Sequence, residues 1–92
     1  PTLPVADTLK RVEERTIVET VDRTGLAVSQ TPQAFLLPAL RRGFSGELAD
    51  VTDCAMLVER AGARIACVDG DPRLLKVTTP ADLALVEAML AV

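Results

Sequence analysis

The side chains that could bind or move a charged group in this chain are hydroxyls and cations at predicted turns. Five of them stand out, and they are Thr8, Arg23, Thr31, Thr52 and Lys76. The sequence contains no histidine, which excludes a Ser-His-Asp triad, a Cys-His pair and the HExxH zinc motif. Any chemistry must therefore use Lys, Arg, Asp and Thr, a set that favours charge positioning, as in phosphoryl or nucleotidyl transfer.

Thr31 lies in the most informative stretch, the segment from Gln30 to Phe35, which reads QTPQAF. Pro32 has a fixed φ and no N–H, so it suits the first position of a helix and makes Thr31 the natural N-cap. The unpaired N–H groups at such a helix start can also hold a phosphate oxygen. Capping is the commoner use of a lone threonine, so both interpretations of Thr31 stay open.

Thr52 and Lys76 occupy comparable positions further along the chain. Thr52 and Asp53 precede a helical pattern, where capping and complementing the helix dipole compete with ligand binding. Lys76 lies near the carboxyl end of a predicted strand, which is where α/β proteins bind their ligands. An edge-strand lysine that prevents aggregation fits the same pattern equally well.

Arg23 belongs to a predicted turn, Asp22–Gly25, at the tip of a predicted hairpin. An arginine there is usually a solvated charge, and it becomes interesting only if the hairpin reaches the site of another subunit. Thr8 invites the same comment, because its spacing alone assigns no role to its hydroxyl.

Length and composition limit the chain to one small domain. Its 92 residues open without an initiator methionine, which indicates a piece of a longer protein, and they contain neither a signal peptide nor an apolar run of membrane-spanning length. The net charge of −3, with both signs interspersed, argues against nucleic-acid binding. The two cysteines, Cys54 and Cys67, are too few for a zinc site or a disulfide framework, so we expect free thiols in a reducing cytoplasm.

The first part of the chain predicts a projecting β-hairpin. Thr16–Val21 is rich in β-branched residues and reads as a strand, and Leu26–Gln30 is expected to return as the second arm after the Asp22–Gly25 turn. Because this part has few large apolar residues, the hairpin should project and pack on a partner.

The remainder of the chain predicts helices that alternate with short strands. Three helices are expected, beginning near Pro38, at Thr52–Asp53 and at Thr79–Pro80. Ile65–Val68 reads as a strand that is covered on both faces, and Leu74–Thr78 reads as another strand. This alternation indicates an α/β sheet.

Five segments, taken together and in this order, carry a family resemblance. They are DTLK at 7–10, TVDRTGL at 20–26, QTPQAF at 30–35, TD at 52–53 and KVTTPADL at 76–83. The series closely resembles the C-terminal part of the 2-C-methyl-D-erythritol 4-phosphate cytidylyltransferases, enzymes of non-mevalonate isoprenoid biosynthesis. The resemblance covers almost the whole chain, and the QTPQ and KVTTP pieces are its most specific parts.

The resemblance implies the C-terminal portion of a Rossmann-like nucleotidyltransferase fold. Residues from about 5 to 28 would form a β-arm that interlocks a homodimer, and residues from about 29 to 92 would form an α/β part of the substrate site. The implied reaction transfers CMP from CTP to 2-C-methyl-D-erythritol 4-phosphate and releases pyrophosphate. It would use Mg²⁺ or another divalent cation and take place in the cytoplasm.

The resemblance also implies roles for the five side chains. Thr8 and Arg23 match arm residues that reach the sugar phosphate in the partner subunit's site. Thr31, Thr52 and Lys76 match residues of the subunit's own substrate pocket, where Lys76 would act as the catalytic cation. The lysine and the two hydroxyls would then orient the attacking phosphate for in-line attack on the α-phosphorus.

Two positions depart from the family pattern, and one part of the family enzyme has no counterpart. Leu74 stands where the family commonly has Asn, and Cys54 stands where an acidic residue is frequent. The Gly-rich loop and the metal-binding Asp of the N-terminal, nucleotide-binding half match nothing here, so we expect these residues to hold no metal and to be inactive alone. A non-catalytic α/β dimerisation module is the alternative, and fusion to another pathway enzyme also stays open.

Overall fold

A computed structural model describes residues 1–91 as a mixed α/β chain with two compact units. Unit 1 combines Pro1–Gln30 with the residues from Asp69 onward, and unit 2 is Thr31–Val68. The chain therefore leaves unit 1 after Gln30 and returns to it at Asp69.

Unit 1 contains two separate antiparallel sheets of two strands each among the described residues. Its strands are β1 (Thr2–Pro4), β2 (Leu9–Glu13), β3 (Thr16–Val21) and β4 (Ala27–Ser29). β1 pairs with β4, with Thr2 opposite Ser29, while β2 and β3 form a ribbon. Thr2 also forms a parallel bridge with Asp69, so β1 contacts the returning chain as well.

The pairing of the ribbon corrects the predicted hairpin. Its two strands were expected to be Thr16–Val21 and Leu26–Gln30, but β3 pairs with β2, with Leu9 opposite Val21. The turn lies at Glu14 and Arg15, whose φ angles of 47° and 66° give the left-handed two-residue turn that matches the twist of paired strands. The sequence signal was weak because neither residue is Gly, Asn or Asp.

The Asp22–Gly25 segment does form a turn, as predicted, although it does not close the ribbon. Leu26 N–H donates to the carbonyl of Arg23 at 3.0 Å, and Gly25 has a φ of 77° that favours glycine. This turn leads the chain from the base of the ribbon into β4, which pairs with β1 instead.

Unit 2 is built around two short helices, α1 (Leu37–Phe44) and α2 (Cys54–Arg60), which pack against each other. Leu57 and Val58 on α2 are only 3% and 2% exposed and form the hydrophobic core of the described chain. Gly43 on α1 is also buried, and a Cβ there would lie 3.0 Å from the carbonyl carbon and oxygen of Leu57. The close approach of the two helices therefore depends on the absence of a side chain at position 43.

The three predicted helices are present with the expected starts. α1 begins one residue before Pro38, and α2 has Asp53 as its N-cap and is followed by Gly62, at a φ of 88°. The third helix, α3 (Pro80–Leu90), begins with a capping box in which Thr79 and Asp82 satisfy each other's backbone N–H groups.

Three local predictions are wrong. Neither Ile65–Val68 nor Leu74–Thr78 forms a strand within residues 1–91. An apolar run becomes a strand only where a neighbouring strand supplies the ladder of hydrogen bonds, and the sequence pattern does not show whether such a neighbour is present. Val68 is 61% exposed, so its segment is not covered on both faces in this chain. No helix begins at Pro32 either; the Thr31–Pro32 bond is cis, and Leu36 precedes the first turn of α1 without a side-chain cap.

The Gly43→Ala substitution tests the contact between α1 and α2. The new methyl group must displace the backbone of Leu57, and overpacking of this kind costs about 1–3 kcal/mol. The higher helix propensity of alanine offsets only roughly 0.5–1 kcal/mol of this cost. We therefore expect a lower free energy of unfolding in urea. Gly46→Ala is the matched control, because its Cβ would meet its nearest neighbour, the Gly43 carbonyl oxygen, at an ordinary 3.6 Å; an equal loss in both variants would contradict the packing argument.

The turn after Gly70 provides a test by pH. Arg73 donates its side-chain N–H groups and its backbone N–H to the Asp71 carboxylate, which lowers the Asp71 pKa from 3.8 to about 2. Since the pKa is lowered in the folded state, the contact stabilises the fold above pH 3.8 and is lost as the pH falls towards 2. A carboxyl NMR titration should show this value and an increase towards 3.8 in Arg73→Gln. An unshifted Asp71 in the unmodified chain would contradict it.

Candidate functional site

The five side chains selected from the sequence divide between the two units. Thr8, Arg23 and Lys76 belong to unit 1, and Thr31 and Thr52 belong to unit 2. All five lie outside the helices and strands of the described chain, and all five are exposed.

Arg23 lies at the base of the ribbon, not at its tip as the sequence had suggested. Its Nη1 donates to three successive backbone carbonyls, those of Val5 at 2.9 Å, Ala6 at 2.8 Å and Asp7 at 3.3 Å. These residues connect β1 to β2, so one guanidinium nitrogen holds the loop that leads into the ribbon. The structure thus gives Arg23 a structural role that the sequence did not reveal.

The same arrangement places Thr8 beside the Arg23 turn. Thr8 follows the last carbonyl that Arg23 contacts and directly precedes Leu9, the residue paired with Val21 at the ribbon base. Within residues 1–91, every hydrogen bond of the Arg23 side chain uses Nη1. Its Nε and Nη2 groups are therefore available to an external acceptor, and this edge of a guanidinium suits a phosphate.

In unit 2, a side-chain network joins the segment of Thr31 to that of Thr52. Gln33 Nε2 donates to Asp53 Oδ2 at 3.0 Å, and Gln33 Oε1 accepts from the Ala55 N–H at 3.1 Å. Asp53 Oδ1 accepts from the Met56 N–H at 2.8 Å. Two of the N–H groups that the first turn of a helix leaves unpaired are thus satisfied by two side chains that also bond each other.

The network changes the interpretation of both threonines. Asp53, rather than Thr52, is the N-cap of α2, and the Thr52 hydroxyl donates a long hydrogen bond to the Met56 sulfur at 3.8 Å. Thr31 caps no helix, so its hydroxyl has no capping task. The structure brings the two threonine segments to the same end of α2 through Gln33, and neither hydroxyl caps a helix.

Gln30, the first residue of the QTPQ motif, forms a similar pair of bonds within unit 1. Its side-chain amide donates to the Asp71 carbonyl at 2.9 Å and accepts from the Asp71 N–H at 3.1 Å. Gly70 directly precedes Asp71, and a Cβ there would collide with the Gln30 side chain and approach the Thr2 carbonyl oxygen to 2.8 Å. Gly70 N–H donates to that same oxygen, which holds the returning chain on β1.

Lys76 lies in the segment between the Asp71–Arg73 turn and α3. Because residues 74–78 pair with no strand in the described chain, the edge-strand interpretation does not apply to this arrangement. Asp82 Oδ2 accepts from the N–H groups of Thr78 at 3.0 Å and Thr79 at 2.9 Å, and these bonds lower the Asp82 pKa. The start of α3 therefore orders the chain two residues after Lys76 and leaves its ammonium exposed.

Sequence reasoning missed the two glutamines on either side of Thr31 and Pro32. Gln30 bonds the Asp71 backbone in unit 1, and Gln33 bonds Asp53 and the Ala55 N–H in unit 2. A signal was present, since Gln30 and Gln33 are the only side-chain amides in the 92 residues. An amide both donates and accepts, so one side chain can satisfy a backbone N–H and a second acceptor together. Two such residues flanking Thr-Pro could have been interpreted as anchors for the segment.

The described residues contain no group of three or more Cys, Asp or Glu side chains that could hold a metal ion. The longest of their helices, α3, has 11 residues, and none is long and apolar enough to cross a membrane. A groove of about 220 Å³ in unit 2 is lined mainly by apolar residues between the start of α1 and the segment after Gly62. It contains none of the five selected side chains.

Comparison with known proteins identifies relatives along the whole chain. The model of the IspD family, 2-C-methyl-D-erythritol 4-phosphate cytidylyltransferase, matches residues 1–92. Enzymes of that name from Saccharopolyspora erythraea and Rubrobacter xylanophilus are 50% and 47% identical over 99% of this chain. The chain spans 41% of the length of each of these relatives.

Solved structures show the same likeness. A crystal structure of 4-diphosphocytidyl-2C-methyl-D-erythritol synthase matches 97% of this chain with a TM-score of 0.82 and 47% identity, and the match covers 40% of that protein. The cytidylyltransferase from Thermus thermophilus matches the entire chain with a TM-score of 0.85 and 36% identity, over 47% of its own length. On the match of the family model to all 92 residues, this chain belongs to the 2-C-methyl-D-erythritol 4-phosphate cytidylyltransferase family.

Proposed function

We propose that this sequence supplies the C-terminal part of an enzyme that transfers CMP from CTP to 2-C-methyl-D-erythritol 4-phosphate and releases pyrophosphate. The observation that carries the proposal is the match of the family model to all 92 residues. The geometry supports it, because the selected hydroxyls and cations are exposed and lie on segments held by side-chain hydrogen bonds. In this proposal the 92 residues bind the sugar phosphate but do not turn over CTP alone.

The roles proposed for the side chains follow their chemistry. Arg23, with its Nε and Nη2 groups available, and Thr8 bind the phosphate of the methylerythritol substrate in the partner subunit's site. Thr31 and Thr52 orient the same substrate within their own subunit. Lys76 neutralises the charge that develops as the substrate phosphate attacks the α-phosphorus of CTP, which is where positioned cations accelerate such transfers.

The proposal also includes the larger fold and the homodimer. Val12 and Ile17, paired in the ribbon, are 57% and 61% exposed, and Leu90 on α3 is 79% exposed. Apolar side chains exposed in clusters usually lie in an interface. We assign the ribbon to the dimerisation arm of the enzyme. The apolar surface of α3 would be covered in the interior of a Rossmann-like sheet domain. We place the enzyme and its substrates in the cytoplasm.

The divalent cation expected for this chemistry, Mg²⁺, finds no set of ligands within residues 1–91. The carboxylates of Asp71 and Asp82 are engaged by Arg73 and by backbone N–H groups, respectively. The residues of this chain bind and orient the sugar phosphate, and the metal would be held elsewhere in the enzyme.

Lys76→Met in a full-length enzyme that carries this sequence tests the catalytic assignment. Removing a group that stabilises transition-state charge should lower kcat by about 10²–10³-fold, measured by pyrophosphate release. Lys10→Met, at the only other lysine, is the control and should keep kcat within about twofold of the unmodified enzyme.

The 92-residue chain alone should release no pyrophosphate. A full-length enzyme that is inactive with CTP and methylerythritol phosphate would instead favour the dimerisation module.

Arg23→Ala tests the phosphate assignment separately from CTP binding. Loss of a hydrogen bond between charged groups costs about 1.5–3 kcal/mol, so KM for methylerythritol phosphate should increase at least tenfold while KM for CTP changes little. Arg15→Asn is the control for the loss of charge, because it also removes one positive charge from the ribbon and Asn tolerates a φ of 66°. An equal increase of both KM values in Arg23→Ala would contradict the assignment.

A further inference from the structure

We propose that Gln33 is a positioning residue whose side-chain amide, through Asp53, holds the Thr31 segment beside Thr52, at the start of α2. This inference rests on the proposed function, because it assigns the two threonine hydroxyls to one substrate. Gln33 itself acts through its neighbours and contacts no reacting group. The proposal adds a specific hydrogen-bond pair to the determinants of the sugar-phosphate site.

The geometry of the pair leaves little freedom. Gln33 and Asp53 are both half-buried, and each bonds the other and one N–H of α2, those of Ala55 and Met56. The contacts have a defined polarity. The amide nitrogen of Gln33 must face the carboxylate, since its oxygen already accepts from Ala55.

This polarity distinguishes positioning from simple capping. Asp53 alone would satisfy the Met56 N–H, as any N-cap does, and this bond needs nothing from Gln33. The added bonds from Gln33 link a loop residue 20 positions earlier to the cap. They connect the Thr31 segment, which has no helix of its own to begin, to the segment that contains Thr52.

The test, in the full-length enzyme, exchanges which residue of the pair donates the hydrogen bond and which accepts it. In Gln33→Glu, a carboxylate faces that of Asp53, and in Asp53→Asn, two amide nitrogens face each other. The double variant Gln33→Glu/Asp53→Asn restores a donor and an acceptor, keeps both bonds to α2 and has the original net charge. Asn is also as good an N-cap as Asp. Any effect of charge alone on phosphate binding is thereby removed.

We expect each single variant to increase KM for methylerythritol phosphate about tenfold, with KM for CTP within twofold, and the double variant to return to within about threefold of the unmodified enzyme. Gln30→Glu is the matched control. It makes the same change in the other side-chain amide, which bonds Asp71 within unit 1. Any effect of Gln30→Glu on KM for methylerythritol phosphate should therefore persist when Asp53→Asn is added.

Each remaining outcome overturns a specific claim. Single variants that melt at lower temperature but keep KM for methylerythritol phosphate would reduce Gln33 to a stabilising contact. A double variant as impaired as the singles would refute the paired hydrogen bond as the cause. If the unmodified enzyme did not transfer CMP to methylerythritol phosphate, the proposed function would fail and this inference with it, whereas an active enzyme with unaffected variants would refute the inference alone.

Discussion

The arrangement of this chain depends on one contact, the pair of hydrogen bonds between the Gln30 side-chain amide and the backbone of Asp71. The chain leaves unit 1 just after Gln30 and re-enters it at Asp69, so this contact ties exit and entry together. It exists only because Gly70 offers no Cβ to the space that the amide fills. The amide replaces a strand residue, since it gives the Asp71 N–H and carbonyl the partners that a neighbouring strand would provide.

Hydrogen bonds from side chains to backbone groups must hold much of this structure together, because few hydrophobic side chains are buried among the described residues. Leu57 and Val58 are the buried hydrophobic core of the described residues, and both belong to α2, which packs against α1. Elsewhere, polar side chains fix the loops: Arg23 holds the approach to the ribbon, and Asp82 holds the start of α3. A bond between a charged group and the backbone has a strong preferred geometry, so it can orient a loop that packing does not constrain.

The sequence predicted features that are governed by neighbouring residues and missed those that depend on distant ones. The capping box of Thr79 and Asp82 and the glycine turn at Gly25 need only local chemistry, and both are present. The partner of β3 could not be read from the sequence, because a left-handed turn at Glu14 and Arg15 carries no glycine signal. For the site, residue types and order indicated Thr31 and Thr52, but the bridge through Gln33 spans 20 positions and has no periodic signature.

The hydrogen bonds of Arg23 show why a structural role and the proposed binding role need not exclude each other. A lysine could supply the charge, but its single ammonium could not hold three carbonyls and keep a separate planar edge free. The guanidinium can, because its nitrogens point in fixed and different directions. The loop it holds ends at Asp7, next to Thr8, so the residue that would bind a phosphate also fixes its neighbour. Where the described residues have so small a core, a side chain with two such tasks would order the proposed site without additional packing.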